Sequence, residues 1–172
     1  MARVMTVQDS VVIEGVSPRD VYDQVSDPSR MGRWSPENLG AEVPEHGGAA
    51  YVGMSFVGAN KRGRIRWSTR CTVTAADRGE RFAFRVHAIG LKVPRIPGAI
   101  ATWEYRFEEV ARGTQVTEVW CDSRRGWPDA VANRFDKAAT GGRTFADFQR
   151  RNIARTLARL KSDLEDAATA AE

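Results

Sequence analysis

The sequence predicts an α+β fold in which a curved antiparallel sheet of about six to seven strands wraps around one long C-terminal helix. Strand-like alternation of apolar and polar residues recurs from residue 54 to residue 122, and a helical stripe of apolar residues occupies the segment after residue 143. Two short helical segments follow a first strand. This order of elements places a hollow between the sheet and the long helix.

Length and composition favour one domain over residues 1–172, because 42% of the residues are hydrophobic and no composition shift marks a linker. No apolar stretch reaches the length of a membrane span, and residues 1–8 lack the core of a signal peptide, so we expect a cytoplasmic protein. The two cysteines, Cys71 and Cys121, lie in strand-like runs and are expected to be reduced and buried. A net charge of +4 with both signs abundant indicates a mixed surface.

The first strand is predicted over residues 5–15, with Val7, Asp9, Val11 and Ile13 on one face. Ser17-Pro18 then caps a short helix, and Asp27-Pro28 caps a second one that runs toward Trp34 and stops at Pro36.

The middle of the chain reads as a series of strands joined by short turns. A short strand at Ala41–Pro44 lies in a glycine-rich loop that holds His46, and longer strands are predicted over residues 54–60, 64–74, 81–88, 99–110 and 114–122. The segment Gly90–Gly98 contains two prolines, so we expect a loop there whose apolar Leu91, Val93 and Ile96 cover part of the sheet end.

Alternation also predicts which side chains face the helix. The inward sets are Met54, Phe56, Gly58 and Asn60; Ile65, Trp67, Thr69, Cys71 and Val73; Phe82, Phe84 and Val86; Trp103, Tyr105 and Phe107; and Val116, Glu118 and Trp120. His87 faces solvent by the same parity, so no histidine is predicted inside. If Val116 is in the core, Glu118 is as well.

The C-terminal segment predicts a short helix or ordered insertion at 127–139 and then one long amphipathic helix from Thr144 to about Ala168. Its apolar stripe consists of Phe145, Phe148, Ile153, Leu157, Leu160 and Leu164. The sequence does not assign a role to residues 124–142.

Six segments carry a family resemblance: Asp27-Pro-Ser-Arg-Met-Gly-Arg-Trp-Ser-Pro-Glu37, Gly53-Met-Ser-Phe-Val-Gly-Ala-Asn60, Trp67-Ser-Thr-Arg-Cys-Thr-Val73, Trp103-Glu-Tyr-Arg-Phe107, Gly113-Thr-Gln-Val-Thr-Glu118 and Thr156-Leu-Ala-Arg-Leu-Lys161. Their sequences and order resemble those of the START-like (SRPBCC) superfamily of polyketide cyclase/dehydrase and lipid-transport proteins. The resemblance implies the helix-grip fold, in which the gap between sheet and helix forms a ligand pocket. It does not fix the chemistry, since such proteins include carriers, receptors and cyclases.

We expect this pocket to be wide and aromatic with a few polar groups, the usual composition of a small-molecule site. Its predicted ligand-binding residues are Trp34, Ser35, Phe56, Asn60, Trp67, Thr69, Phe84, Trp103, Tyr105, Glu118, Trp120, Phe145 and Phe148, with Trp34 and Ser35 at the entrance. The alternative is that the aromatic residues fill the core and that Asn60 and Glu118 hydrogen-bond to each other.

Two functions follow from this site. The first is the binding or carrying of a hydrophobic molecule, lipid-like or aromatic; the second is a polyketide aromatase/cyclase or dehydratase reaction with Glu118 as acid/base, assisted by Tyr105 and Asn60, because burial raises a carboxyl pKa. A protein-interaction module with a filled pocket is a third possibility. No cofactor and no metal are expected, and the chain is expected to be a monomer or homodimer.

The arginines of one strand (Arg64, Arg66, Arg70) and of the long helix (Arg150, Arg151, Arg155, Arg159) are interpreted as solvated faces. They could also attract an anionic lipid or nucleic acid, but no nucleic-acid motif accompanies them.

Overall fold

The fold is a seven-stranded antiparallel sheet curled around one long helix. The computed structural model describes residues 2–44 and 49–170, so the predicted loop residue His46 lies outside the described residues. The sheet order is β1-β7-β6-β5-β4-β3-β2, which places the first strand beside the last. The strands are β1 Thr6–Glu14, β2 Asn38–Glu42, β3 Ser55–Arg62, β4 Ile65–Asp77, β5 Arg81–Gly90, β6 Ile96–Val110 and β7 Gly113–Asp122. The predicted helix-grip arrangement is confirmed.

The helices begin where the caps predict. Helix α1 spans Pro18–Val25 with the Ser17 hydroxyl as its N-cap, and a 3-10 helix spans Pro28–Arg33 with Asp27 as its N-cap. Helix α2 spans Asp129–Thr140 and helix α3 spans Phe145–Ala170. At the start of α3 the Thr144 hydroxyl donates to the Asp147 carboxylate and accepts from the Asp147 amide, which is the predicted capping box.

The core lies between the concave face of the sheet and the apolar stripe of α3. Phe82, Val73 and Val116 from the sheet and Ile153 and Leu160 from α3 are almost completely buried. Helix α1 closes one end of this core, where the Tyr22 ring packs edge-on against Phe82 and Phe107. Burial of these side chains stabilises the fold because apolar area is removed from water.

Several strand boundaries differ from the sequence prediction by one to three residues, and two of these differences change where a strand begins by three residues. Strand β2 begins at Asn38, with a bulge between Asn38 and Gly40, instead of at Ala41. Strand β6 begins at Ile96 instead of Ala99, so Pro97 lies in a strand opposite Ala88. Proline is tolerated there because β7 ends at Asp122, opposite Ala101, which leaves this part of β6 as a free edge.

Several predicted burials are also wrong. Ile65 is 62% exposed because it lies at the tip of the β3–β4 hairpin, beyond the reach of α3, and Leu91, Val93 and Ile96 are exposed instead of covering the sheet end. Cys71 is buried as predicted, but Cys121 faces away from the core and is only half-buried.

Candidate functional site

A buried carboxyl group lies on the concave face of the sheet, on the strand next to the edge strand β1. Glu118 on β7 is directly opposite Tyr105 on β6, so both side chains point to the same side of the sheet. The Tyr105 hydroxyl donates a hydrogen bond of 2.7 Å to Glu118 Oε1. Glu118 is 2% exposed, and its other oxygen, Oε2, has no hydrogen-bond partner among the described residues.

Burial governs the protonation of this pair. It raises the pKa of Glu118 from its ordinary 4.5 to about 8, although the hydrogen bond from Tyr105 opposes the shift. Burial, together with the neighbouring Glu118 charge, also raises the pKa of Tyr105 well above its usual range. Both groups are therefore neutral near pH 7, and Glu118 is a carboxylic acid.

Asn60 and Thr69 form a separate polar group on strands β3 and β4. The Asn60 side-chain amide donates to Thr69 Oγ1 at 3.2 Å, and the Asn38 amide donates to Asn60 Oδ1 at 3.4 Å. The alternative of a mutual Asn60–Glu118 hydrogen bond is therefore wrong. Strands β4, β5 and β6 separate the two residues, and adjacent strands are about 4.8 Å apart.

The inward-facing aromatic residues fall into two groups by exposure. Phe56, Phe84 and Trp120 are buried, and the Phe56 and Phe84 rings pack edge-on at 5.3 Å. By contrast the side chains nearer the β3–β4 hairpin are half-buried: Asn60, Trp67, Thr69, Phe145 and Phe148. Trp103 is also half-buried, although it lies directly opposite Phe84 and Trp120. The core between sheet and helix is therefore sealed beside α1 and is more exposed to water toward this hairpin.

The Trp34 side chain lies away from the β3–β4 hairpin, whereas Ser35 is two residues from Glu37, which binds Arg62 of that hairpin. Trp34 is 3% exposed, and its indole nitrogen donates to Asp163 Oδ2 at 2.9 Å. Asp163 is about 22 Å along α3 from Phe148. Ser35 Oγ accepts hydrogen bonds from the backbone amides of the following turn. A role for these two residues at a pocket entrance stays a prediction.

Arg62, which no sequence pattern singled out, lies over the half-buried rings of Trp67, Phe145 and Phe148. Its guanidinium binds Glu37 Oε1 at 2.6 Å, donates to the Ala139 carbonyl at 2.8 Å and lies 4.2 Å from the Phe148 ring centroid. The Asn152 amide of α3 donates to the second oxygen of Glu37. Arg62 thereby connects β3, α2 and α3. Hairpin position was its only sequence signal, so its partners could not be foreseen.

Sequence patterns did not single out Arg124 either. Its contacts show how residues 124–142 are attached to the rest of the fold. Its buried guanidinium binds both oxygens of Asp122 and, at 2.9 Å, Asp136 Oδ1 in α2. The second Asp136 oxygen accepts from the Phe145 amide at the start of α3. This ion network fixes α2 to the end of β7 and positions Phe145, whose ring centroid lies 4.8 Å from Arg124.

Two surface cavities lie elsewhere. One of about 560 Å³ is on the outer face of the sheet, between Leu39, Val57, Arg70 and Val93, and one of about 300 Å³ is beside Glu14 and Glu165. None of the predicted site residues lines either of them. His87 also faces outward, where its Nε2 lies 2.9 Å from the Thr72 hydroxyl.

Residues 2–44 and 49–170 contain no group of three or more His, Cys, Asp or Glu side chains arranged to hold a metal ion. None of their helices is long and apolar enough to cross a membrane.

Comparison with known proteins identifies the family of this chain. The sequence profile of the family described as polyketide cyclase/dehydrase and lipid transport matches residues 4–165. No curated protein matches the sequence.

Solved structures with the same fold align with nearly the whole chain. A polyketide cyclase-like protein from Corynebacterium glutamicum is 27% identical, with a TM-score of 0.57, and the alignment covers 96% of this chain and 94% of that one. A protein from Nitrosomonas europaea is 11% identical with a TM-score of 0.66, covering 96% and 97%. A di-domain aromatase/cyclase from the steffimycin pathway is 13% identical with a TM-score of 0.66, covering 96% of this chain and 52% of that one. The chain belongs to the polyketide cyclase/dehydrase and lipid-transport family.

Proposed function

We propose that this protein binds a hydrophobic, oxygen-bearing small molecule between the sheet and α3, with one oxygen of the ligand accepting a hydrogen bond from Glu118. The observation that carries the proposal is the buried Glu118 carboxyl group, one of whose oxygens is bonded by Tyr105 while the other has no partner among the described residues. A buried polar atom without a partner costs about 1–3 kcal/mol, so a ligand that supplies the partner gains affinity.

The protonation state of Glu118 determines which ligand group can bind to Oε2. Because the pKa of Glu118 is raised to about 8, the carboxyl group carries its proton at neutral pH. Tyr105 already donates to Oε1, so the carboxyl proton belongs on Oε2. Oε2 is then a donor that lacks an acceptor. A ketone, ester or hydroxyl oxygen satisfies it, whereas an ammonium group does not.

The surroundings support an apolar and preferably aromatic ligand body. Trp67, Trp103, Phe145 and Phe148 are half-buried, and Trp103 precedes Tyr105 on the same face of β6. A ligand whose body packs on Trp103 would reach Glu118 about 7 Å farther along the sheet, the rise of two strand residues.

A second candidate is a cyclase or dehydratase reaction in the same site, favoured by the pKa of about 8 and by the family description. About a tenth of Glu118 would be ionised near pH 7. This carboxylate could take a proton from the methylene between two ketones of a poly-β-ketone. The enolate carbon would then form the ring bond to another ketone carbon, whose oxygen becomes an alkoxide and takes the proton from Glu118. The regenerated carboxylate would remove the second methylene proton and would return it to the new hydroxyl group as that group leaves as water.

The binding proposal is tested by the pH dependence of affinity for prodan, a fluorescent aromatic ketone. Wild-type affinity should be constant at low pH and should fall as pH rises through about 8, because Glu118 loses the donated proton. Glu118→Gln keeps an N–H donor at every pH, so its affinity should not depend on pH. A naphthalene that lacks the ketone is the control ligand and should bind both proteins without pH dependence.

Equal pH profiles for prodan in the wild type and Glu118→Gln would contradict the role of Glu118. Absence of any saturable binding, together with no copurified small molecule in native mass spectra of protein from its own host, would contradict the site itself. The catalytic candidate makes a separate prediction: Glu118→Gln should bind a poly-β-ketone mimic as the wild type does but should not turn it over.

A further inference from the structure

Several segments meet at the open end of the sheet. The β3–β4 hairpin, the β5–β6 hairpin and the end of β7 all lie there, because alternate hairpins of an antiparallel sheet share an end. Helix α2 joins them: Arg62 of the first hairpin donates to Ala139, and Arg124 holds Asp136. We call this surface, formed by residues 61–66, 91–96 and 125–143, the hairpin end.

Large apolar side chains protrude from the hairpin end. Leu91 is 77% exposed, Ile96 65% and Ile65 62%. Trp127, Val131 and Phe135 are spaced four residues apart along α2 and its preceding turn, and all three are exposed. Isolated exposed apolar residues are common, but a cluster on the tips of three neighbouring segments marks an interaction surface.

The same surface is strongly basic. Among its exposed side chains are Arg64, Arg66, Lys92, Arg95, Arg125 and Arg134. In these three segments, all of which the structure describes, Asp129 is the single exposed acidic residue. The hairpins at the opposite end, residues 77–81 and 108–113, mix both signs. The hairpin end therefore carries much of the excess positive charge of the chain.

We propose that the hairpin end is a peripheral binding surface for anionic membranes. Protruding aliphatic tips and an exposed tryptophan suit the boundary between headgroups and acyl chains, while the surrounding arginines and lysines suit anionic headgroups. A nucleic acid would bind the basic residues but would leave the exposed side chains of Leu91 and Ile96 without an apolar partner. This proposal is independent of what the gap between sheet and α3 binds.

The test is flotation of the full chain with vesicles of phosphatidylcholine alone or mixed with phosphatidylglycerol. The protein should partition onto the mixed vesicles, and high salt should release it. Leu91→Ser with Ile96→Ser should weaken partition about tenfold or more, and Arg64→Gln or Arg95→Gln about fivefold each. All four residues are exposed, so the variants should fold, which circular dichroism verifies.

Matched controls come from the other end of the sheet. Val52 precedes β3 and is 64% exposed, close to the value for Ile96, and Arg19 packs against Gly79 of the β4–β5 turn. Val52→Ser and Arg19→Gln should leave partition unchanged. Equal losses in controls and test variants would overturn the proposal. So would binding to soluble polyglutamate without partition onto vesicles, since that result assigns the basic surface to an acidic macromolecule.

Discussion

At the scale of single residues, the pair of Glu118 and Tyr105 is the feature that packing alone does not explain. The two buried polar side chains lie opposite each other on the neighbouring strands β6 and β7. The Tyr105 hydroxyl bonds to one oxygen of the Glu118 carboxyl group, and the other oxygen has no partner among the described residues. A leucine at position 118 would fill the same position without the cost of desolvation. The proposal that this protein binds a ligand through Glu118 rests on this unsatisfied buried acid.

The raised pKa of Glu118 makes stability depend on pH. The folded protein holds this proton up to about pH 8, whereas the unfolded chain releases it near the ordinary value of 4.5. The contribution to the free energy of unfolding is complete below the unfolded pKa. It decreases by about 1.4 kcal/mol per pH unit between the two values and is lost above the folded pKa.

Glu118→Gln should remove this dependence. Urea unfolding of the wild type and the variant at about pH 5 and about pH 9 measures it, because the other carboxyl groups contribute equally to both proteins. Tyr105→Phe serves as the second variant. It removes the hydrogen bond that lowers the Glu118 pKa, so its loss of stability should extend to higher pH than in the wild type. The same pH slope in the wild type and Glu118→Gln would contradict the assignment.

At the scale of elements, Arg62 connects three of them across the open end of the gap. Its side chain and that of Glu37 are 22% and 14% exposed, so removing one partner leaves a largely desolvated charge. Arg62→Met keeps the length of the side chain and should lower the free energy of unfolding by about 1–3 kcal/mol. Arg150→Met, which breaks the exposed pair with Asp147, is the control and should change it little. Equal effects in urea unfolding would show that Arg62 is only a surface charge.

Loss of Arg124 should lower the free energy of unfolding by more than loss of Arg62, because Arg124 binds two buried aspartates. Arg124→Met leaves Asp136 in the interior without its cation and leaves Asp122 with Arg3 alone, at 3.5 Å; breaking a buried ion pair costs about 3–5 kcal/mol. Since Asp136 also caps α3, hydrogen exchange should increase first in α2 and in the opening turn of α3. Arg78→Met, at the exposed pair with Asp23, should leave the exchange of both helices unchanged. Uniform acceleration throughout the sheet would contradict a local role.

Sequence patterns predicted these elements unequally well, and the physical reason differs from case to case. The placement of Glu118 followed from alternation, because side chains of a strand necessarily change sides at each residue. The caps at Ser17, Asp27 and Thr144 were local and equally predictable. Ile65 was misplaced because parity gives the face of a residue but not whether another element covers it. Arg62 and Arg124 were missed because their partners lie far away in sequence.

At the scale of the whole molecule, the end of the core beside α1 is fully buried, and the end beside the β3–β4 hairpin is more open to water. Tyr22, Phe82 and Phe107 pack together beneath α1, whereas the rings near Arg62 remain half-buried. The open end is also the basic, apolar hairpin end. A ligand site that opens within the proposed membrane-binding surface would allow a hydrophobic molecule to pass between membrane and protein with little exposure to water.

Such a passage requires the sheet and α3 to separate without unfolding, which Cys71 can report. Its thiol is buried on the concave face beside Thr69, and burial raises its pKa to about 12, so it should react only after an opening. In Cys121→Ser protein, the rate of labelling by a disulfide reagent should be independent of urea at low concentrations, because local opening exposes little surface. Prodan should slow the labelling by occupying the gap. A urea dependence equal to that of global unfolding, unaffected by prodan, would show that the gap opens only when the protein unfolds.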